Sequence, residues 1–288
     1  VIFIGARKEA QTVSRDKVRQ TANVTGALFQ IVAGPLGALL FGVSVGGVSD
    51  ANGTYVVPAG YAFSIWGVIF ALCLAYAAYQ ALPAKRESPL LRRVGWFSAG
   101  AFALNGLWSL VFPAQLFVVS QVVIVGVFLC AGSALLLASR AGGERRPSFV
   151  DRWLVVLPFG LLFGWITAAT LVGFATTLAA VGILSGGFGE ALLGVGLLLS
   201  GGLIAAGVIR AVRVGPWQGV LAYSVAVLWA LVAVVVNQYD ASLLTTISAL
   251  AAAAIVVFVL VNGFRGSSPS SPSSPSRPSD ATASQRFT

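Results

Sequence analysis

Histidine and methionine are both missing from this chain of 288 residues. Without His there is no imidazole for a zinc site, for a haem ligand or for a Ser-His-Asp triad. With Met also missing, a bound haem would lack its usual axial ligands. Charge is scarce: Asp, Glu, Lys and Arg make up 9% of the residues. Lysine stops at Lys85, so a retinal-type Schiff base has no residue in the later part of the chain. The Gly-rich piece Gly186-Gly-Phe-Gly189 lacks the Gly-Lys-Ser/Thr ending of a phosphate loop. The only thiols, Cys73 and Cys130, fall in apolar runs, where free Cys behaves as a small hydrophobe.

What the chain has instead is apolar bulk. Hydrophobic residues make up 57% and the mean hydropathy is +0.90. A spanning helix needs about 20 apolar residues in a row. Eight such runs follow one another, near 24–48, 58–82, 94–112, 115–138, 153–180, 190–209, 216–236 and 241–261. The fold class is therefore all-α, a polytopic transmembrane helix bundle. A basic segment, 1–23, precedes the first span. The Ser/Pro-rich residues 266–288 bury too little apolar surface to offset ordering and are expected to be a disordered tail.

The net charge of +9 is explained by position rather than by nucleic acid. Lys85, Arg86, Arg92 and Arg93 fall in one loop, Arg140, Arg145, Arg146 and Arg152 in another, and Arg210 and Arg213 in a third. The rest lie in the N-terminal segment and the tail, and the intervening loops hold none. Excess Lys and Arg in short loops marks the cytoplasmic side. Eight spans with both termini in the cytoplasm satisfy every basic residue. On the opposite side, Glu190 and Asp240 are expected at helix N-termini, where the dipole favours an anion.

No charge falls well inside a predicted span, so the residues of proton pumps and charge-gated channels are not found there. Paired carboxylates, metal ligands or a Ser with a base are also not found at depth, which speaks against an enzyme. In the first span Ala38, Gly42 and Gly46 are spaced for one helix face that a second copy of the chain would pack against. Pro35 should kink that span.

The seven Trp residues sort by depth. Trp96, Trp153 and Trp217 sit at the basic ends of spans, as an interfacial belt. Trp66, Trp108, Trp165 and Trp229 are deeper; at 1.5 Å per residue Trp66 is roughly 12 Å below the outer end of span two. Each of the four taken singly reads as helix packing. Together they outline an aromatic pocket, with Asn105, Trp108 and Ser109 on one face of span three.

Three stretches carry a resemblance. Pro58, Tyr61, Phe63 and Trp66 are a variant of a loop-and-helix signature that runs Trp-x-Pro-Pro, Trp-x-Phe, Trp. Asn105-Gly-Leu-Trp108-Ser-Leu-Val-Phe112 matches Asn-x-x-Trp-x-x-x-Phe. Trp165-Ile-Thr-Ala-Ala169-Thr170-Leu171 is similar to a last-span pattern of Trp followed by Ala-Thr and Leu-Asn. In these positions the chain resembles the TspO/MBR family, the tryptophan-rich sensory or translocator proteins. It departs from the family by its single proline, Tyr61 in place of Trp, a Phe63–Trp66 spacing one residue shorter, and Gly173 in place of Asn.

The likeness covers about 26–175 and divides the chain into a TspO-like five-helix region, 24–180, and three additional helices, 181–265. It implies a multi-pass protein of the bacterial plasma membrane that binds a flat hydrophobic molecule, tetrapyrrole- or sterol-like, for sensing, regulation or transport. Pro58, Tyr61, Phe63, Trp66, Asn105, Trp108 and Trp165 are the implied ligand-binding residues, with Asn105 supplying an orienting hydrogen bond. No cofactor is implied with certainty; a porphyrin, metal-free for want of axial ligands, is the candidate. The expected partners are the bilayer, that ligand and a second copy of the chain. Two other readings remain open: a small-molecule transporter, for which the Pro58…Trp66, Pro158…Trp165 and Pro216…Trp229 spacings give only a loose repeat, and a structural subunit of a membrane complex.

Overall fold

The computed structural model describes residues 2–141, 146–184 and 186–265. Arg145 and the tail 266–288 lie outside the described residues. All regular structure among them is helical, and eight helices are long and apolar enough to cross a membrane. Large apolar side chains stay exposed on the perimeter, among them Leu39, Val122, Leu203 and Phe258. Lipid is the solvent that such a surface requires.

The first helix, α1 (Ile2–Phe41), starts well before the predicted span and runs through Pro35 without a break. Residues 2–23 are thus continuous in helix with the first span, and Asp16, Arg19, Gln20 and Asn23 are buried. The helix ends at Gly42, whose φ of 71° belongs to the left-handed region that glycine tolerates. Ser44 then caps a separate short helix, α2 (Val45–Ala51), by accepting from Gly47 N–H. Ala38, Gly42 and Gly46 consequently do not share one helix face.

The second span also starts later than expected. Pro58 lies in an extended stretch ahead of a 3-10 turn (Gly60–Ser64), and α3 covers Ile65–Ala81. Next come α4 (Pro89–Val111) and α5 (Phe117–Ser139). The short helix α6 (Phe149–Asp151) opens with a capping box between Ser148 and Asp151. A π-turn, Arg152–Val156, links it to α7 (Leu157–Ala180). There Leu157 N–H reaches back to the Arg152 carbonyl, a wider loop that falls just before Pro158, which lacks an N–H. Three helices complete the chain: α8 (Gly187–Val212), α9 (Trp217–Gln238) and α10 (Leu243–Arg265). Asp240 falls in the turn before α10, and the first-turn contacts there are made by Ser242.

The later helices are not an appendage. A Cβ on Gly160 would lie 2.6 Å from the Gly219 carbonyl oxygen, and one on Gly164 would lie 2.4 Å from that of Tyr223. These glycines, four residues apart, let α7 and α9 meet backbone to backbone. In lipid such close packing, rather than a hydrophobic drive between helices, holds spans together. The small-residue face of this protein is therefore internal.

The two ends of the bundle differ in chemistry. At the basic end, Arg19 is 1% exposed and donates to the Leu91 carbonyl at 3.0 Å and the Arg86 carbonyl at 2.7 Å. Asp16 lies 3.6 Å from Arg19 and also accepts from Arg92 Nε at 2.9 Å. Asn23 donates to Gly95, Ser98 donates to Asn23, and the Tyr76 hydroxyl meets Ser98 at 2.8 Å. This polar clamp joins α1, α3 and α4.

Candidate functional site

At the opposite end an apolar cavity of about 70 Å³ lies under the loop between α2 and α3. Its upper wall is Val45, Ser49, Val56, Pro58 and Phe63; its aromatic side is Trp108, Phe112 and Trp165. The remainder comes from α7, from Leu197, Leu198 and Gly201 of α8, and from Val227, Ala230, Leu231 and Val234 of α9. About a third of the lining residues come from spans six and seven, which the sequence reading sets apart from the aromatic region.

Trp66 of α3 links the indoles of α4 and α7. Trp66 is 6.1 Å from Trp165 and 6.5 Å from Trp108 between ring centres, and Phe63 is 5.9 Å from Trp165. The edge-to-face angles of 84° at Trp66–Trp165 and 83° at Phe63–Trp165 set the positive rim of one ring on the negative face of the other. Three of the four deep tryptophans thus converge. The fourth does not: Trp229 is half-buried, packs edge-on to Tyr61 at 5.4 Å, and donates from Nε1 to the Ala62 carbonyl at 3.0 Å.

The seven expected ligand-binding residues divide accordingly. Pro58, Phe63, Trp108 and Trp165 line the cavity. Trp66 stands behind them, against Trp108 and Trp165. Tyr61 is 45% exposed on the outer surface. Asn105 is fully buried but turned toward α1, where its Nδ2 donates to Gln30 Oε1 at 3.0 Å. Ser109 bonds back to the Asn105 carbonyl. The i, i+3, i+4 face is real, but it is wide enough for Trp108 to reach the cavity while Asn105 serves a helix contact.

Trp165 is 3% exposed and its Nε1–H has no hydrogen-bond partner. A buried donor left in this state costs about 1–3 kcal/mol. The hydroxyls of Thr167 and Thr176 are already committed to carbonyls one turn back. Gly173 exposes its backbone to the cavity, and Gln121 of α5 occupies the space beside it: a Cβ there would meet Gln121 Oε1 at 2.8 Å. Gln121 itself donates to the Thr170 carbonyl. No carboxylate, Lys or Arg lines the cavity. No cluster of His, Cys, Asp or Glu suited to a metal exists among the described residues.

The loop above the cavity is tied to the last helices through its backbone. Ala59 N–H donates to the Ala233 carbonyl at 3.0 Å, Asn237 Nδ2 to Val57 at 3.1 Å, and Gln238 Nε2 to Val57 at 3.2 Å. Tyr55 N–H donates to Glu190 Oε1 at 3.1 Å. Glu190 lies in the first turn of α8, so it joins the helix-dipole role to a loop anchor. These partners are far apart in the chain and no local pattern announces them.

The bundle and its cavity define a class: a multi-pass helical membrane protein with an aromatic-walled chamber near one face. The comparison with protein families is more particular. The chain belongs to the TSPO-like protein family, whose model matches residues 20–262. The match extends past the 26–175 stretch of motif likeness and reaches the three later spans, of which α8 and α9 line the cavity. No curated protein and no solved structure matches the chain.

Proposed function

We propose that the chamber binds a flat hydrophobic molecule of the tetrapyrrole or sterol-like kind, and that the bound molecule carries a hydrogen-bond acceptor for the Trp165 N–H. The unpartnered indole donor inside an otherwise apolar, aromatic wall is the observation that carries this reading. Small-molecule sites combine apolar walls with a few placed polar groups. Phe63, Trp108 and Trp165 offer ring faces and edges to a conjugated plane, while Trp66 buttresses them. Asn105 acts on α1 rather than on the ligand, and Tyr61 acts from outside with Trp229. The family is generally non-enzymatic, and the chamber holds no group suited to acid–base or nucleophilic work.

At about 70 Å³ the chamber is smaller than ordinary ligand pockets, which run from about 300 to 1,000 Å³. Binding therefore widens it, and the loop strapped to α8 and α9 is the wall that yields. The basic end faces the cytoplasm of the plasma membrane, by the distribution of Lys and Arg, so the loop faces outward.

The test is intrinsic fluorescence quenching of the purified full chain in detergent by protoporphyrin IX. Saturable quenching is expected, weakened about tenfold or more in Trp165→Phe, in line with the loss of one buried hydrogen bond. Quenching that is unsaturable, or untouched by Trp165→Phe and Trp108→Phe alike, would sink the proposal.

A further inference from the structure

A second, larger cavity opens at the basic end of the bundle. Its volume is about 810 Å³, and its wall includes Arg140, Arg146, Arg152 and Arg213. Trp217 and Leu260 supply apolar wall to the same space. Its size falls in the range of ordinary ligand pockets, about 300 to 1,000 Å³.

The four arginines come from three parts of the chain, and packing brings them together. Gly215, in the turn between α8 and α9, sits against the end of α5: a Cβ on it would lie 2.5 Å from the Ser139 carbonyl oxygen. That approach docks the turn carrying Arg213 beside Arg140. Arg152 is held from the other side by donating through Nε to the Pro147 carbonyl at 3.2 Å. Among the described residues no carboxylate lines the cavity, and the ion pairs found involve only Asp16 with Arg19 and Arg92. Asp151, beside Arg152 in sequence, is taken up by Ser148 and by the Tyr79 hydroxyl at 2.8 Å.

A concave surface with four guanidinium groups, and no acid among its described lining residues, is built for an anion. Guanidinium is the side chain best matched to phosphate oxygens, through paired N–H donors. The depth of the cavity narrows the source. Trp217 packs edge-on to Trp153 at 6.0 Å, and both indoles are partly exposed, as in a headgroup-level aromatic belt. Apolar wall beneath a basic rim suits an amphiphile rather than a wholly polar anion.

We infer that this cavity is a binding site for the phosphate headgroup of an anionic phospholipid, with the acyl chains leaving along α10 and the exposed Trp217. Basic pockets between spans on the cytoplasmic side are a known way of holding acidic lipids. The site is separate from the aromatic chamber and does not depend on what that chamber binds.

The experiment is thermal unfolding of the full chain in detergent micelles with added phosphatidylglycerol, phosphatidylcholine or inorganic pyrophosphate. Phosphatidylglycerol should raise the Tm saturably and phosphatidylcholine should not. In Arg140→Gln/Arg213→Gln the lipid concentration at half-effect should rise roughly tenfold or more, given the attraction contributed by each basic residue. Arg146→Gln/Arg213→Gln should behave alike, which guards against one pair misfolding. Arg15→Gln/Arg93→Gln removes the same charge from exposed positions outside the cavity and should leave the response intact. An equal loss in that control pair would reduce the effect to general surface charge and overturn the site. So would equal responses to the two lipids. Protection by pyrophosphate alone, lost in the cavity variants, would overturn the lipid assignment in favour of a soluble phosphate compound.

Discussion

The aromatic chamber and the polar clamp occupy opposite ends of one bundle and treat buried polar groups in opposite ways. At the clamp Arg19 is almost wholly buried, yet its guanidinium finds two carbonyls and a carboxylate, and Asn23, Ser98 and Tyr76 continue the chain of bonds. At the chamber the Trp165 N–H is left without a partner in an apolar space. The network leaves Arg19 Nε without a partner, but its other bonds fix three helices relative to one another. On the proposed function, an unsatisfied donor instead keeps interaction energy in reserve for the bound molecule. The difference separates what the fold needs from what the site needs, and substitutions should respect it.

The largest effect should come from the contact both ends rely on. Gly164→Val forces a side chain into the Tyr223 backbone of α9. It should cost about 3 kcal/mol or more by overpacking, read as loss of monodisperse protein on size exclusion and a large drop in Tm. Arg19→Met comes next. It strands two carbonyls and weakens the setting of Asp16, and should lower stability by about 2–4 kcal/mol without changing porphyrin affinity in the fraction that folds. If ligand affinity falls in step with stability, the two ends are not independent.

Smaller effects should appear at the loop. Asn237→Ala/Gln238→Ala removes side-chain bonds to the Val57 and Thr54 carbonyls. A loss of about 1–2 kcal/mol is expected, with faster hydrogen exchange confined to residues 52–64 and faster porphyrin association in stopped flow. The smallest stability change belongs to Trp165→Phe. Removing an unpartnered donor offsets the lost packing, so the unfolding free energy should stay within about 1 kcal/mol of wild type while binding suffers. A large destabilisation there would make Trp165 a packing residue and erase the contrast between the ends.

The sequence made much of this legible, though unevenly. Apolar run lengths found all eight spans, because twenty apolar residues have few other uses. Helix depth alone brought Trp66, Trp108 and Trp165 to one level, and the structure joins them. Depth says nothing of direction around the axis, so Trp229 was grouped with them although it pins the loop from outside. The same gap hides the bond from Asn105 to Gln30, 75 residues away. Small-residue spacing drew attention to Ala38, Gly42 and Gly46, but Gly42 ends a helix, while the unremarked pair Gly160 and Gly164 makes the tightest crossing with α9. The share of α8 and α9 in the chamber, and the anchoring of Tyr55 by Glu190 across 135 residues, depend on long-range packing that no local pattern encodes.

The most direct test of the reserve held at Trp165 is its indole proton. In the full chain labelled with 15N-tryptophan, the Trp165 resonance is assigned by its loss in Trp165→Phe and followed during protoporphyrin IX titration. A downfield shift of that proton at saturation is predicted, with Trp96, Trp153 and Trp217 unmoved. A Trp165 resonance that stays in place while the ligand saturates the protein would contradict the account.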